Sequence, residues 1–96
     1  LSKEGYGRAF EAAVGACLIN NEFEVSYWRD GSAEVDFVVA FEGKLLAVEV
    51  KSGRARSSKG MSEFQKRHPK AIEIYITPEN VQNFFKEPRM FFGRLT

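Results

Sequence analysis

A chain of 96 residues, 44% hydrophobic and 28% charged, is long enough for one packed core and too short for two. That composition belongs to a globular domain spanning 1–96, and no apolar run nears the ~20 residues of a membrane span, which excludes both an integral membrane protein and a disordered chain. The formal net charge of +1 hides a sorted chain: Glu22, Glu24, Asp30, Glu34, Asp36, Glu42 and Glu49 outweigh Arg29 and Lys44, then Lys51, Arg54, Arg56, Lys59, Lys66, Arg67 and Lys70 outweigh Glu63, so a polyanion has a place to land.

The chain starts at Leu1 without a methionine or a signal-like segment, which points to a piece of a longer protein. From about Ser2 to Asn21, Tyr6, Phe10, Val14, Cys17 and Leu18 recur at steps of three and four, the period of an amphipathic helix. Cys17, the single cysteine, fits a small core residue of that helix; alone it makes no internal disulfide, which suits a reducing, cytoplasmic setting. The period then falls to two. Phe23, Val25 and Tyr27 alternate with polar residues in a first strand, and Asp30-Gly31-Ser32 turns the chain. A second strand covers Glu34 to Phe41, and Glu42-Gly43 leads into a third from Lys44 to Lys51. A polar, basic loop follows, then a short helix from Met61 to Arg67 ended by Pro69, a fourth strand over Ala71–Ile76, and a terminal helix carrying Val81, Phe84 and Phe85. The fold class is α/β in the order αβββαβ, with a mixed sheet flanked by helices and an aromatic tail.

Charged residues on strands that otherwise read as buried demand an explanation. Strict alternation sets Val35, Phe37, Val39 and Phe41 on one face of the second strand and Asp36 with Val38 and Ala40 on the other. On the third strand Leu46, Val48 and Val50 share one face, while Glu49 and Lys51 share the opposite one. The short turn makes these strands antiparallel neighbours, so Asp36 is expected beside Glu49 and Lys51. Carboxylates pressed together repel unless a cation or a proton neutralises them. A hard divalent ion such as Mg2+ is one remedy, since it takes one or two protein carboxylates and leaves positions for water and a phosphate. A salt-bridge cluster, with Lys51 on one acid and Lys44 or Arg29 on the other, is the plainer alternative.

Glu11 lies about 20° around the first helix from Leu18, on the rim of its apolar stripe, where it either reaches the sheet or pairs with Arg8. Elsewhere the structural reading is favoured. His68 fits a helix end, Gln65 a surface position, Tyr27 and Trp28 the cover of a sheet edge, and Phe84, Phe85, Phe91 and Phe92 a core or lid; Phe91 and Phe92, if exposed, would mark a docking surface.

The segments Gly7-x-x-Phe10-Glu11, Tyr27-Trp28-Arg29, Glu34-Val35-Asp36-Phe37-Val38-Val39 and Glu49-Val50-Lys51-Ser52-Gly53 together resemble the DUF4143 domain over roughly residues 5 to 68. The resemblance implies a PD-(D/E)xK nuclease-like domain with a restriction-endonuclease-like core, usually the carboxy-terminal part of a P-loop ATPase of the AAA type. By position it places the helix glutamate at Glu11, the metal aspartate at Asp36, and the acid and lysine of the E-x-K motif at Glu49 and Lys51. It also lets the peptide carbonyl of Val50 complete the shell of a Mg2+ or Mn2+ ion. The expected function is metal-dependent phosphodiester hydrolysis on DNA, with Arg54, Arg56 and Lys59 on phosphates and the N-terminal ATPase domain of the same protein as partner. Self-association is left open. The rival is an inactive module of the same fold that binds DNA or docks on the ATPase.

Overall fold

The computed structural model describes residues 2–53 and 58–96. Helix α1 (Lys3–Asn20) begins where the Ser2 hydroxyl accepts the Gly5 N–H at 3.0 Å, and it ends where the Asn21 side chain donates to the Cys17 carbonyl at 2.8 Å. Strands β1 (Glu24–Asp30), β2 (Ala33–Phe41) and β3 (Lys44–Val50) follow as consecutive antiparallel neighbours. Glu42 and Gly43 both adopt positive φ, at 50° and 76°, the geometry that lets a short turn follow the right-handed twist of its strands. Helix α2 (Lys59–Arg67) then crosses over to β4 (Ile72–Ile76), which pairs parallel with β3. The mixed sheet thus runs β1-β2-β3-β4, and the expected order and class are those observed. Among the described residues no helix is long and apolar enough to cross a membrane.

Helices cover both faces. Phe10, Val14 and Leu18 of α1 pack with Phe37, Val39, Phe41, Leu46 and Val48 on one side. On the other, Met61 and Phe64 of α2 pack with Val35, Val38 and Ala47. Val35 therefore lies with Val38 and not with Phe37, contrary to strict alternation. The cause is a one-residue register shift: Ser26 pairs with Val38 but Trp28 with Val35, so Tyr27 faces both Asp36 and Phe37. This is a β-bulge, which breaks the period of two. Asp36 sits at the bulge itself, and the alternation that grouped it with Val38 and Ala40 does not hold there.

The aromatic tail is core except for Phe85, which is exposed. It forms α3 (Val81–Lys86) and α4 (Pro88–Leu95), with Pro88 opening the second helix, where its missing N–H costs nothing. Phe84 and Phe92 are fully buried on the α1 side of the sheet, and Phe92 lies 5.3 Å from the Phe23 ring and 5.8 Å from that of Phe41. Phe91 packs half-buried against the same cluster, so the pair is no exposed docking surface.

Helix α2 lies on β2 with almost no space between backbones. A Cβ on Gly60 would sit 1.7 Å from the Glu34 carbonyl oxygen, so only glycine fits without moving the helix or the strand. Gly93, in α4, has open space around it. Gly60→Ala should cost about 1–3 kcal/mol, the usual range for overpacking. Gly93→Ala should gain up to about 1 kcal/mol from the lost flexibility of glycine in the unfolded chain. Urea denaturation of both variants checks this: equal midpoints would refute the close approach.

Candidate functional site

Pairing of β2 with β3 runs from Phe41–Lys44 to Phe37–Val48, and one further step of the same register sets Asp36 opposite Glu49. There side chains take over from the backbone ladder. The Asp36 N–H donates to Glu49 Oε1 at 3.2 Å, and the Val50 N–H donates to Asp36 Oδ2 at 2.8 Å. Each carboxylate is thus fastened to the backbone of the other strand. Just beyond, the Lys51 N–H bonds the Ile76 carbonyl at 2.9 Å, which holds the end of β3 against β4. Lys51 Nζ returns to Glu49 Oε2 at 3.6 Å. The expected trio converges, through the bulge and the end of the ladder and not through simple alternation.

The electrostatics follow from burial. Glu49 is 5% exposed, the sole buried charged residue among those described. Burial pushes the Asp36 carboxyl up from 3.8 to about 7; the Val50 N–H opposes the rise, and the charges of Glu49 and Glu11 and a hydrogen bond with the Glu49 carboxyl add to it. Glu11 stays exposed on α1 and acts on Asp36 through its charge. It also shares with Asp36 a cavity of about 400 Å³ lined by Tyr27, Trp28, Arg29, Glu34 and Val35. One turn before Glu11, Gly7 brings α1 close to the end of β3, a Cβ there lying 3.4 Å from the Ser52 hydroxyl.

Whether this donor set suits a metal is a question of its chemistry. Among the described residues no three His, Cys, Asp or Glu side chains gather into a cage. Asp36 and Glu49 nonetheless offer hard oxygens that retain lone pairs beyond the hydrogen bonds they accept, which fits an ion such as Mg2+ that needs one or two carboxylates and keeps its waters. Val50 meets Asp36 through its N–H.

Lys59 Nζ donates to the Ser32 hydroxyl at 3.1 Å, tying α2 to the β1–β2 turn. Arg54 and Arg56 lie outside the described residues. Gln65 donates to the Pro69 carbonyl at 2.9 Å, and His68 caps α2 with its ring 4.5 Å from that of Phe64. Trp28 packs edge-on against Phe64 under the Arg67 guanidinium, whereas Tyr27 is 74% exposed beside Phe37. Cys17 packs against the α1 core cluster, and burial raises its thiol. The cavity wall supplied by β1 was not foreseen, since nothing in the sequence marks the bulge that creates it.

A family model described as a domain of unknown function, DUF4143, matches residues 6–90. Among solved structures, the crystal structure of an XisH family protein from Nostoc punctiforme is similar over 88% of this chain and 83% of that one, at 21% identity and a TM-score of 0.47. No curated protein matches the chain.

The Asp36 proton gives the site a signature in stability. The folded chain holds it to about pH 7, whereas the unfolded chain releases it near 3.8. Between those values the native state binds more protons, so this group makes stability fall as pH rises through the window and level off above it. Asp36→Asn should remove that component. Urea midpoints across the window test it; superimposable pH profiles for native protein and variant would contradict the placement of Asp36.

Proposed function

The chain belongs to the DUF4143 family, and on that footing we propose that it is a metal-dependent phosphodiesterase domain with a restriction-endonuclease-like core. It acts on DNA in the cytoplasm and is normally joined to an AAA-type ATPase. The observation that supports this most is the pairing of half-buried Asp36 with buried Glu49, clasped across the end of the β2–β3 ladder with Lys51 beside it. A carboxylate whose proton leaves near pH 7 only because of burial and neighbouring acids is poised to exchange that proton for a cation.

Asp36, Glu49 and the Val50 carbonyl would hold Mg2+ or Mn2+. When bound, such an ion polarises the phosphate and lowers the pKa of its water. The chain's own residues supply the rest. Lys51, partly exposed and held against Glu49, presents an ammonium at the mouth of the site, where it orients the attacking water and offsets charge developing on the phosphate. Glu11 lines the cavity from α1, where its carboxylate would accept a hydrogen bond from a water. The clasp keeps both carboxylates in place without reorganisation, because each is held by a backbone N–H.

With Mg2+ or Mn2+ present, native protein should cleave DNA, and Asp36→Asn or Lys51→Ala should lower the rate by roughly 100-fold or more. Mg2+ should also raise the melting temperature of native protein and leave that of Asp36→Asn unmoved. Equal background cleavage by all three proteins would reassign the chain as an inactive module of this fold, and absence of a thermal shift would remove the metal.

A further inference from the structure

Two neighbouring aromatic residues of β1 have opposite fates. Trp28 packs edge-on against Phe64 on the α2 side of the sheet. Val25 packs on the α1 side, so strand alternation sends Tyr27 there as well, where its ring lies 5.9 Å from that of Phe37 at a tilt of 45°. Phe37 is buried and lies against α1 at Gly15, which gives the Tyr27 ring a firm base. Tyr27 itself is 74% exposed, more than any other large hydrophobic residue among those described. A ring left so open forgoes the burial that would stabilise the fold, and β1 is the edge strand, so no further strand flanks it.

Tyr27 also lines the cavity of about 400 Å³ that it shares with Asp36 and Glu11, a volume within the range of small-ligand sites. It stands there because it lies opposite the β2 bulge. Arg29, the cation lining the same cavity, is bound to Glu34 at 2.8 Å. What β1 offers a ligand is therefore an aromatic face rather than a free charge. One sugar joins the base of a nucleotide to its phosphate, so a ring and a carboxylate that share a cavity can take the two ends of one nucleotide. Inside a duplex the faces of each base are covered by its neighbours, and a base stacks on a protein ring once it is unpaired and unstacked.

We propose that Tyr27 is a stacking platform for an unpaired base beside the scissile phosphate, which makes single-stranded DNA the preferred substrate. The inference rests on the reading of the chain as a DNA-acting phosphodiesterase, but its test needs no cleavage. Binding of a fluorescent single-stranded oligonucleotide, and of a duplex of the same sequence, is followed by anisotropy in EDTA. Native protein should bind the single strand more tightly. Tyr27→Leu keeps an apolar cover over Phe37 and removes the aromatic face. It should weaken single-strand binding about tenfold, the size of one base stacked on a ring, and leave duplex binding unchanged. Tyr27→Trp should keep the native preference. The slope of log K against log salt should be the same for all three proteins, because stacking releases no counterions. A native protein without preference for the single strand, native-like binding by Tyr27→Leu, or an equal loss on both DNA forms overturns the platform. Cleavage in Mg2+ is read separately. Native protein that prefers single strands without cutting them loses the hydrolytic reading and keeps the platform, whereas cleavage by native protein together with undiminished binding by Tyr27→Leu removes Tyr27 alone. Circular dichroism confirms folding of each variant, the side chain being exposed.

Discussion

Two acids lie side by side where β2 and β3 stop pairing, and each is tied to the other's strand by a backbone N–H. The rest of the structure answers to that clasp. Burying neighbouring carboxylates is unfavourable, and the arrangement persists because both accept hydrogen bonds and Lys51 offsets Glu49. The geometry needs β2 and β3 in strict register up to Phe37 and Val48, which the positive-φ turn at Glu42 and Gly43 fixes from the opposite end. It also needs the end of β3 held firmly, and the bond from Lys51 N–H to Ile76 does that. A site made of backbone and side chain together is pre-organised in a way that free side chains on a flat sheet are not.

The same stretch of β2 is gripped from both faces. On one side the α2 backbone meets Glu34 at Gly60; on the other a Cβ at Gly15 of α1 would lie 3.0 Å from the Phe37 ring. Glu34 and Phe37 bracket Asp36. Small residues on two helices therefore let both approach the strand where it bulges, and the bulge has little room to relax. That rigidity explains how Asp36 stays half-buried next to an acid when turning to solvent would relieve the repulsion. The helices thus serve the chemistry as well as the core.

Much of this was legible in the sequence because it is written in local patterns. The switch from steps of three and four to steps of two marks α1 and β1, Glu42-Gly43 marks the turn, and the close spacing of Glu49 and Lys51 puts an acid and a base at one strand end. The bulge was not legible. It depends on how β1 pairs with β2, a long-range choice that leaves Val35, Asp36 and Phe37 looking like any alternating run. Face assignments failed at Val35 for that reason, while the meeting of Asp36 with Glu49 came out as expected because it depends on the β2–β3 register. Pro88 looked like a divider in a tail, yet proline at the first helical position starts α4, and only tertiary packing shows that Phe92 is core.

Charge sorting along the chain has a similar lesson. The basic run after residue 50 looked like a landing surface for a polyanion, but folding turns part of it back on the acidic run before it: Lys51 faces Glu49 and Arg67 faces Asp30. Arg29 is likewise paired with Glu34 inside the acidic run itself. The exposed pairs contribute about 0–1 kcal/mol each, so stability is not their main effect. What they change is the outward field, because a cation already facing a carboxylate attracts little else. The cations that still project charge are those the pairing leaves over. An anion approaching this protein is therefore steered by what internal neutralisation spares, and one-dimensional charge counting locates that surface poorly.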